Sequence, residues 1–161
     1  MNPPLSSTET LYTATNPESL IGKSVGQSPW FRIDQERINA FARDTNDWDR
    51  MHVDPEWCRQ HSPFGKPIVF GFQTLAMLTY LLNEAVPRPS DEAYALNYGF
   101  DRLRLTSPIV VGSEIRALFT LKKVTRKDPN TVVNTLATTV EVKGSAKPAL
   151  VGDWLVLMSR H

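Results

Sequence analysis

The stretch Ile68-Val69-Phe70-Gly71-Phe72-Gln73-Thr74-Leu75-Ala76-Met77-Leu78-Thr79-Tyr80-Leu81-Leu82 decides the fold. It is apolar on nearly every face of a helix, and such a helix belongs in the middle of something. The residues that follow supply the surroundings. Glu92 to Leu103 reads as a strand. From Glu114 to Val124, Ile115, Ala117, Phe119 and Leu121 alternate with polar or long side chains. Asp128-Pro129-Asn130 makes a turn, Thr131 to Lys143 alternates again, Gly144-Ser145 turns, and Pro148 to Met158 closes the set. Successive alternating runs joined by short turns predict a long antiparallel sheet.

Upstream of the apolar run the pattern is more mixed. Pro17 to Gly22 reads as a helical turn capped by Asn16 and stopped by glycine. Ser24 to Ile33 reads as one strand. Asp34 caps a helix through about Arg43, with Ile33 and Ile38 at the spacing of a hydrophobic staple. Residues 44–67 read as irregular, with one short helix capped by Asp54 and opened by Pro55, then the turn cluster Ser62 to Pro67. The whole is α+β, a long antiparallel sheet wrapped around a central apolar helix, which is the hotdog arrangement. Residues 1–15 read as a mobile arm and 16–161 as a single domain. Hotdog domains usually pair, and a homodimer is the expectation that this analogy carries.

Composition excludes several classes of function. Eighteen basic against 17 acidic residues give a net charge of +1, without the basic surplus that general nucleic-acid binding needs. The N-terminus is polar and unlike a signal peptide. The apolar run is short for a membrane span and Cys58 is a lone thiol, so no membrane association and a cytoplasmic location are expected. Three histidines and one cysteine show no metal-ligand spacing.

The segment Asp44-Thr45-Asn46-Asp47-Trp48-Asp49-Arg50-Met51-His52-Val53-Asp54-Pro55 carries the chemistry. Asp47 and His52 stand five positions apart in what reads as a loop. If the loop curls, a carboxylate and an imidazole can hold one water and exchange its proton. Equally, Asp47 can cap a turn and His52 lie on the surface. Gly71 falls at the start of the central helix, where free N–H groups and the helix dipole favour an oxyanion. A glycine there can also serve close helix–sheet packing.

Taken in order, Asp47-x-x-x-x-His52-Val53-Asp54-Pro55, then Pro63-Phe64-Gly65-x-Pro67-Ile68, then Gly71 opening an apolar helix, resembles the MaoC-like dehydratases, which include the (R)-specific enoyl-CoA hydratases. Leu20-Ile21-Gly22-Lys23, Gln35 to Ala42, Asn97 to Arg104 and Val110-Val111-Gly112-Ser113 are similar to the nodulation-protein-N-like subgroup. The likeness spans roughly residues 18–158. It implies a hotdog dimer that adds water to a trans-2-enoyl-CoA, or to the same thioester on a carrier protein, giving a (3R)-hydroxyacyl product, or the reverse dehydration. It implies Asp47 and His52 for the water, the Gly71 N–H for the thioester oxygen, and no metal or redox cofactor, coenzyme A being only the substrate's handle. Asn46, Phe64, Gly65, Phe70 and Arg104 would line the substrate. Asn46 stands where the family often has glycine, and Phe70 where many members have histidine. A non-catalytic acyl-thioester-binding protein and an acyl-CoA thioesterase are the alternatives.

Other residues read more plainly. Arg102 and Arg104 fall on one strand face by alternation, where they meet either coenzyme A phosphates or nearby Asp101. Cys58 reads as a packed small residue. Trp30, Trp48, Trp57 and Trp154 read as core or rim. Lys122, Lys123, Arg126 and Lys127 read as a solvated turn, with a pyrophosphate contact as the alternative.

Overall fold

The computed structural model describes residues 17–161, so the expected arm at 1–15 and the Asn16 cap lie outside the described residues. The alternating runs form β3 (Glu92–Leu105), β4 (Glu114–Asp128), β5 (Thr131–Val142) and β6 (Leu150–Arg160). With the short β1 (Ser24–Gln27) and β2 (Phe31–Arg32) they make one antiparallel sheet of order β1-β4-β5-β6-β3, β2 also pairing with β4. The expected strand 24–33 is two strands because Pro29 offers no N–H to the ladder. Ser28 bridges the gap, its Oγ accepting the Ala117 N–H at 3.0 Å.

The β5–β6 register sets Leu136 opposite Trp154 and Val140 opposite Leu150. Those side chains share the inner face with Ile115, Phe119 and Leu121, all fully or nearly fully buried. Against that face lies the central helix, in two pieces: α4 (Gly71–Ala76) and α5 (Leu78–Ala85). The division falls at Met77, whose ψ of −11° departs from the helical value, and one turn earlier the Thr74 hydroxyl donates to the Phe70 carbonyl at 3.3 Å. Leu78 and Leu81 are buried against the sheet, and each side chain contributes about 1.5–3 kcal/mol by leaving water. The expected central apolar helix packed on the sheet is present, and on its far side Phe72 is 75% exposed and Tyr80 42% exposed. The sheet covers one flank only.

Before the central helix come the expected turn, a 3-10 helix at Pro17–Leu20, and the α-helices α1 (Gln35–Thr45), α2 (Arg50–Val53) and α3 (Pro55–His61). Asp34 caps α1 by accepting the Arg37 N–H, and Ile33 and Ile38 are both fully buried, as the staple spacing predicts. The region 44–67 holds two helices rather than one. The one-turn α2 has an ordinary cap, Asp49 accepting the Met51 N–H at 2.8 Å, that the sequence reading passed over.

Candidate active site

His52 lies on the one-turn helix α2, not in a loop, and two long-range bonds fix it. The Ile68 N–H donates to the Met51 carbonyl at 3.1 Å, and His52 Nδ1 lies 2.7 Å from the Ile68 carbonyl oxygen. A carbonyl only accepts, so Nδ1 carries a hydrogen, and in the neutral ring Nε2 is then the acceptor. From α1, Gln35 Nε2 donates to the His52 carbonyl at 2.8 Å. Beneath the imidazole sits the buried ring of Phe70, centroids 3.7 Å apart and planes 30° apart, itself backed by Phe41 at 5.2 Å. Cys58, fully buried, anchors α3 to α2 through its Sγ, 3.4 Å from both the Arg50 and Met51 carbonyls. Burial and the neighbouring Asp54 and Asp49 carboxylates push that thiol's pKa up, which fits a packing role.

The segment that receives His52 is extended, and the central helix starts at Gly71, as expected. Ile68 bridges to Val110, the Val69 N–H donates to the Ile109 carbonyl at 2.8 Å, and the Val111 N–H donates to the Pro67 carbonyl at 2.9 Å. Phe70 then occupies the cap of α4 and gives no side-chain acceptor to its first N–H groups. Those donors, Gly71 first, are available to an external oxygen. Leu105, from the end of β3, lies against the Gly71 Cα so closely that a Cβ at that position would collide with its methyl group.

Asp47 follows the end of α1. Asn46 there adopts the left-handed conformation (φ 57°, ψ 28°), and the Asp47 N–H closes onto the Ala42 carbonyl at 3.1 Å. Glycine and asparagine are the residues that take this conformation cheaply, so Asn46 keeps the backbone path that a glycine would give. Its side chain accepts the Trp48 indole N–H at 3.0 Å. The exposed Asp47 carboxylate accepts the Asp49 N–H at 3.2 Å through Oδ1. No hydrogen bond joins Asp47 directly to His52 among the described residues. They are linked through Asp49, which bonds Asp47 and caps the helix that holds His52.

The other expected residues are more dispersed. Phe64 and Gly65 lie in the exposed turn after α3, Gly65 at φ 65°. Arg104 is exposed on β3 and donates to the Leu103 carbonyl. Alternation fails for the Arg102 and Arg104 pair, because β3 shifts register between Asp101 and Arg104 and Arg102 takes φ 50°. Arg102 pairs with Asp153 on β6 rather than with Asp101, and Lys122 shares that carboxylate at 2.8 Å. Arg126 pairs with Glu18 at 2.7 Å. Gln35 is the site residue that sequence reasoning missed. It falls inside a quoted string, but nothing in that string says its side chain reaches α2. Among the described residues no cluster of His, Cys, Asp and Glu could hold a metal, and no helix is long and apolar enough to cross a membrane.

A family model described as MaoC like domain matches residues 16–143. The chain belongs to the MaoC-like domain family. Nodulation protein N of Rhizobium meliloti (strain 1021) is 37% identical to it over 139 residues, 86% of either protein. The 3-hydroxyacyl-thioester dehydratase Z of Mycobacterium tuberculosis is 44% identical over 135 residues, 84% of this chain and 88% of that protein. Among solved structures, the monoamine oxidase regulatory protein from Archaeoglobus fulgius superposes with a TM-score of 0.72 at 21% identity, covering 88% of this chain and 91% of that one. The (R)-hydratase from A. caviae involved in PHA biosynthesis gives 0.66 at 24%, covering 81% and 92%. The fold is the hotdog, which the solved structures share, and the family is one of MaoC-like dehydratases.

Proposed function

We propose that the protein hydrates trans-2-enoyl-CoA thioesters to (3R)-hydroxyacyl-CoA, or runs the reverse dehydration. The observation that carries this reading is the bond from His52 Nδ1 to the Ile68 carbonyl, which makes Nε2 the acceptor of the neutral ring, the ring lying against Phe70 at the cap of α4. Asp47 and His52 hold a water and take its proton as its oxygen attacks C3. Negative charge moves onto the thioester oxygen, which the Gly71 N–H receives, and a proton is delivered to C2. The thioester is its own electron sink, so the reaction calls for no metal or redox cofactor. The name of the mycobacterial relative, a 3-hydroxyacyl-thioester dehydratase, and that of the A. caviae (R)-hydratase support the class of substrate and the stereochemistry.

The same reading includes a homodimer. β3 is an edge strand of 14 residues whose outer side has no neighbouring strand among the described residues. Its Tyr94, Leu96 and Tyr98 are half-exposed. A long apolar edge of that kind is a template for pairing with a second copy.

The test is loss of the conjugated absorbance of crotonyl-CoA and longer enoyl-CoAs, with chiral analysis of the product. Asp47→Asn and His52→Ala should each lower kcat/KM by at least ~100-fold. Undiminished turnover in both variants would refute the assigned roles. Tight binding of acyl-CoA without turnover of any enoyl chain would show a binding protein instead. Release of free thiol from a saturated acyl-CoA would show a thioesterase.

A further inference from the structure

The sheet has a second concave surface, on the face turned away from the central helix. A dish of about 330 Å³ lies there, a volume suited to a small molecule. Thr135 of β5 and Leu155 and Asp153 of β6 form part of its floor. The β5–β6 register pairs inner-face Leu136 with Trp154, so these three neighbours turn to the outer side.

Bulges furnish the walls. Leu121 pairs with Leu136 but Lys123 with Thr135, which makes Lys122 an extra residue. Two consecutive lysines then line one surface, which the alternation of a regular strand forbids. Lys127 is the extra residue of a second shift in β4, between Arg126 and Asp128. On β3, Tyr98 fills the shift between Asn97 and Gly99, and Arg102 stands in the one between Asp101 and Arg104 at φ 50°. All four of these residues line the dish. Bulges re-aim side chains, and four of them converging on one concavity make a built surface rather than scattered solvated charges.

Its chemistry is cationic and aromatic. Arg102, Lys122, Lys123 and Lys127 stand there with Asp101 and Asp153, a surplus of two positive charges in a chain whose whole net charge is +1. Asp153 engages Arg102 and Lys122, whereas Lys123 and Lys127 have no carboxylate partner among the described residues. Lys127 Nζ lies 5.5 Å from the centroid of the Tyr98 ring, which is 54% exposed. Tyr98 and Arg102 are four positions apart on β3, roughly 13 Å. An open ring beside an ammonium at one end and further cations toward the other match a base and its phosphates.

We propose that the outer face binds a nucleoside diphosphate, its base on Tyr98 beside Lys127 and its phosphates at Lys123, Lys122 and Arg102. The sheet separates this dish from the helix that begins at Gly71, so the ligand does not take the substrate's place and the proposal stands apart from the hydratase reading. Pairing along β3 uses backbone groups in the plane of the sheet and leaves these side chains on its face.

The experiment is calorimetric titration of the full chain at low salt with ADP, pyrophosphate and adenosine. ADP should bind about ten-fold more tightly than either half of it. Lys123→Gln and Lys127→Gln should each weaken ADP about five-fold, the worth of one exposed charge contact. Tyr98→Ala should weaken ADP about ten-fold and leave pyrophosphate unchanged. Tyr98→Phe keeps the ring and should keep the affinity for ADP. Absence of ADP binding, equal affinity for ADP and pyrophosphate, or binding indifferent to the lysine and alanine variants overturns the proposal. Coenzyme A carries the same adenosine diphosphate unit. Its competition with ADP sustains the site and adds that source, and its failure to compete sustains the site for free nucleotides. ADP that raises KM for crotonyl-CoA equally in the wild type and in Lys123→Gln lies in the substrate's own site and overturns the proposal. ADP binding with the expected variant pattern in a protein that hydrates no enoyl-CoA sustains it while the catalytic reading fails.

Discussion

Under the hydratase proposal above the Gly71 N–H receives the thioester oxygen, and separately the missing Cβ of this residue leaves room for the Leu105 methyl. The obstacle is the end of a flexible side chain rather than backbone, so it can be removed. Gly71→Ala should lower both the thermal midpoint and enoyl-CoA hydration. Adding Leu105→Ala should return much of the lost stability, because a non-additive recovery is the signature of two groups in contact. Independent, additive losses in the double variant would show that the crowding is unimportant. At the same scale, the family's usual glycine before Asp47 and the asparagine found here are interchangeable in conformational terms, because position 46 sits in the left-handed region. The letters of the sequence differ there while the backbone requirement does not.

Among the elements, α2 is the most dependent on its surroundings. Four residues cannot hold a helix in isolation. It persists because Asp49 caps it, Cys58 packs under it, Ile68 bonds it at two points and Gln35 donates to its carbonyl. Gln35→Ala should lower kcat on enoyl-CoA roughly ten-fold by loosening the orientation of His52. The same change should cost only about 1 kcal/mol in denaturant unfolding, the net worth of one hydrogen bond. A stability loss with unchanged kcat would make Gln35 merely structural. These bonds also explain what the sequence reading could and could not reach. The strands β4 to β6 and the staple before α1 were legible because period and spacing are local properties. Asp47, His52 and Gly71 were legible as an ordered motif. The link from His52 to Ile68 spans 16 positions and is made by a backbone carbonyl, which has no letter of its own.

Across the whole molecule, the outer face of the sheet is tied by one largely buried carboxylate. Asp153 takes Lys122 and Arg102 from strands on its two sides. The Lys122 hydrogen bond, followed by Arg102, holds its pKa below 3.8 against a burial effect that acts upward. A carboxylate with a depressed folded-state pKa adds stability above its unfolded value and loses it as pH falls through the folded one. Asp153→Asn should therefore cost about 1 kcal/mol at neutral pH and low salt, both cations being substantially exposed. The difference should close as the pH drops below 3.8, as urea titrations at a series of pH values would read. A gap that widened in acid would reverse the assignment.

The long edge of β3 has a thermodynamic corollary. Under the pairing proposed above, the backbone groups of that strand find their last partners only in another polypeptide, so completing the native state is a second-order event. Heat resistance then becomes a property of the solution as well as of the chain. The melting temperature should climb as the protein is concentrated, because mass action favours the associated form. A melting curve that stays fixed over a hundred-fold range of dilution would mean that each copy is thermally self-sufficient.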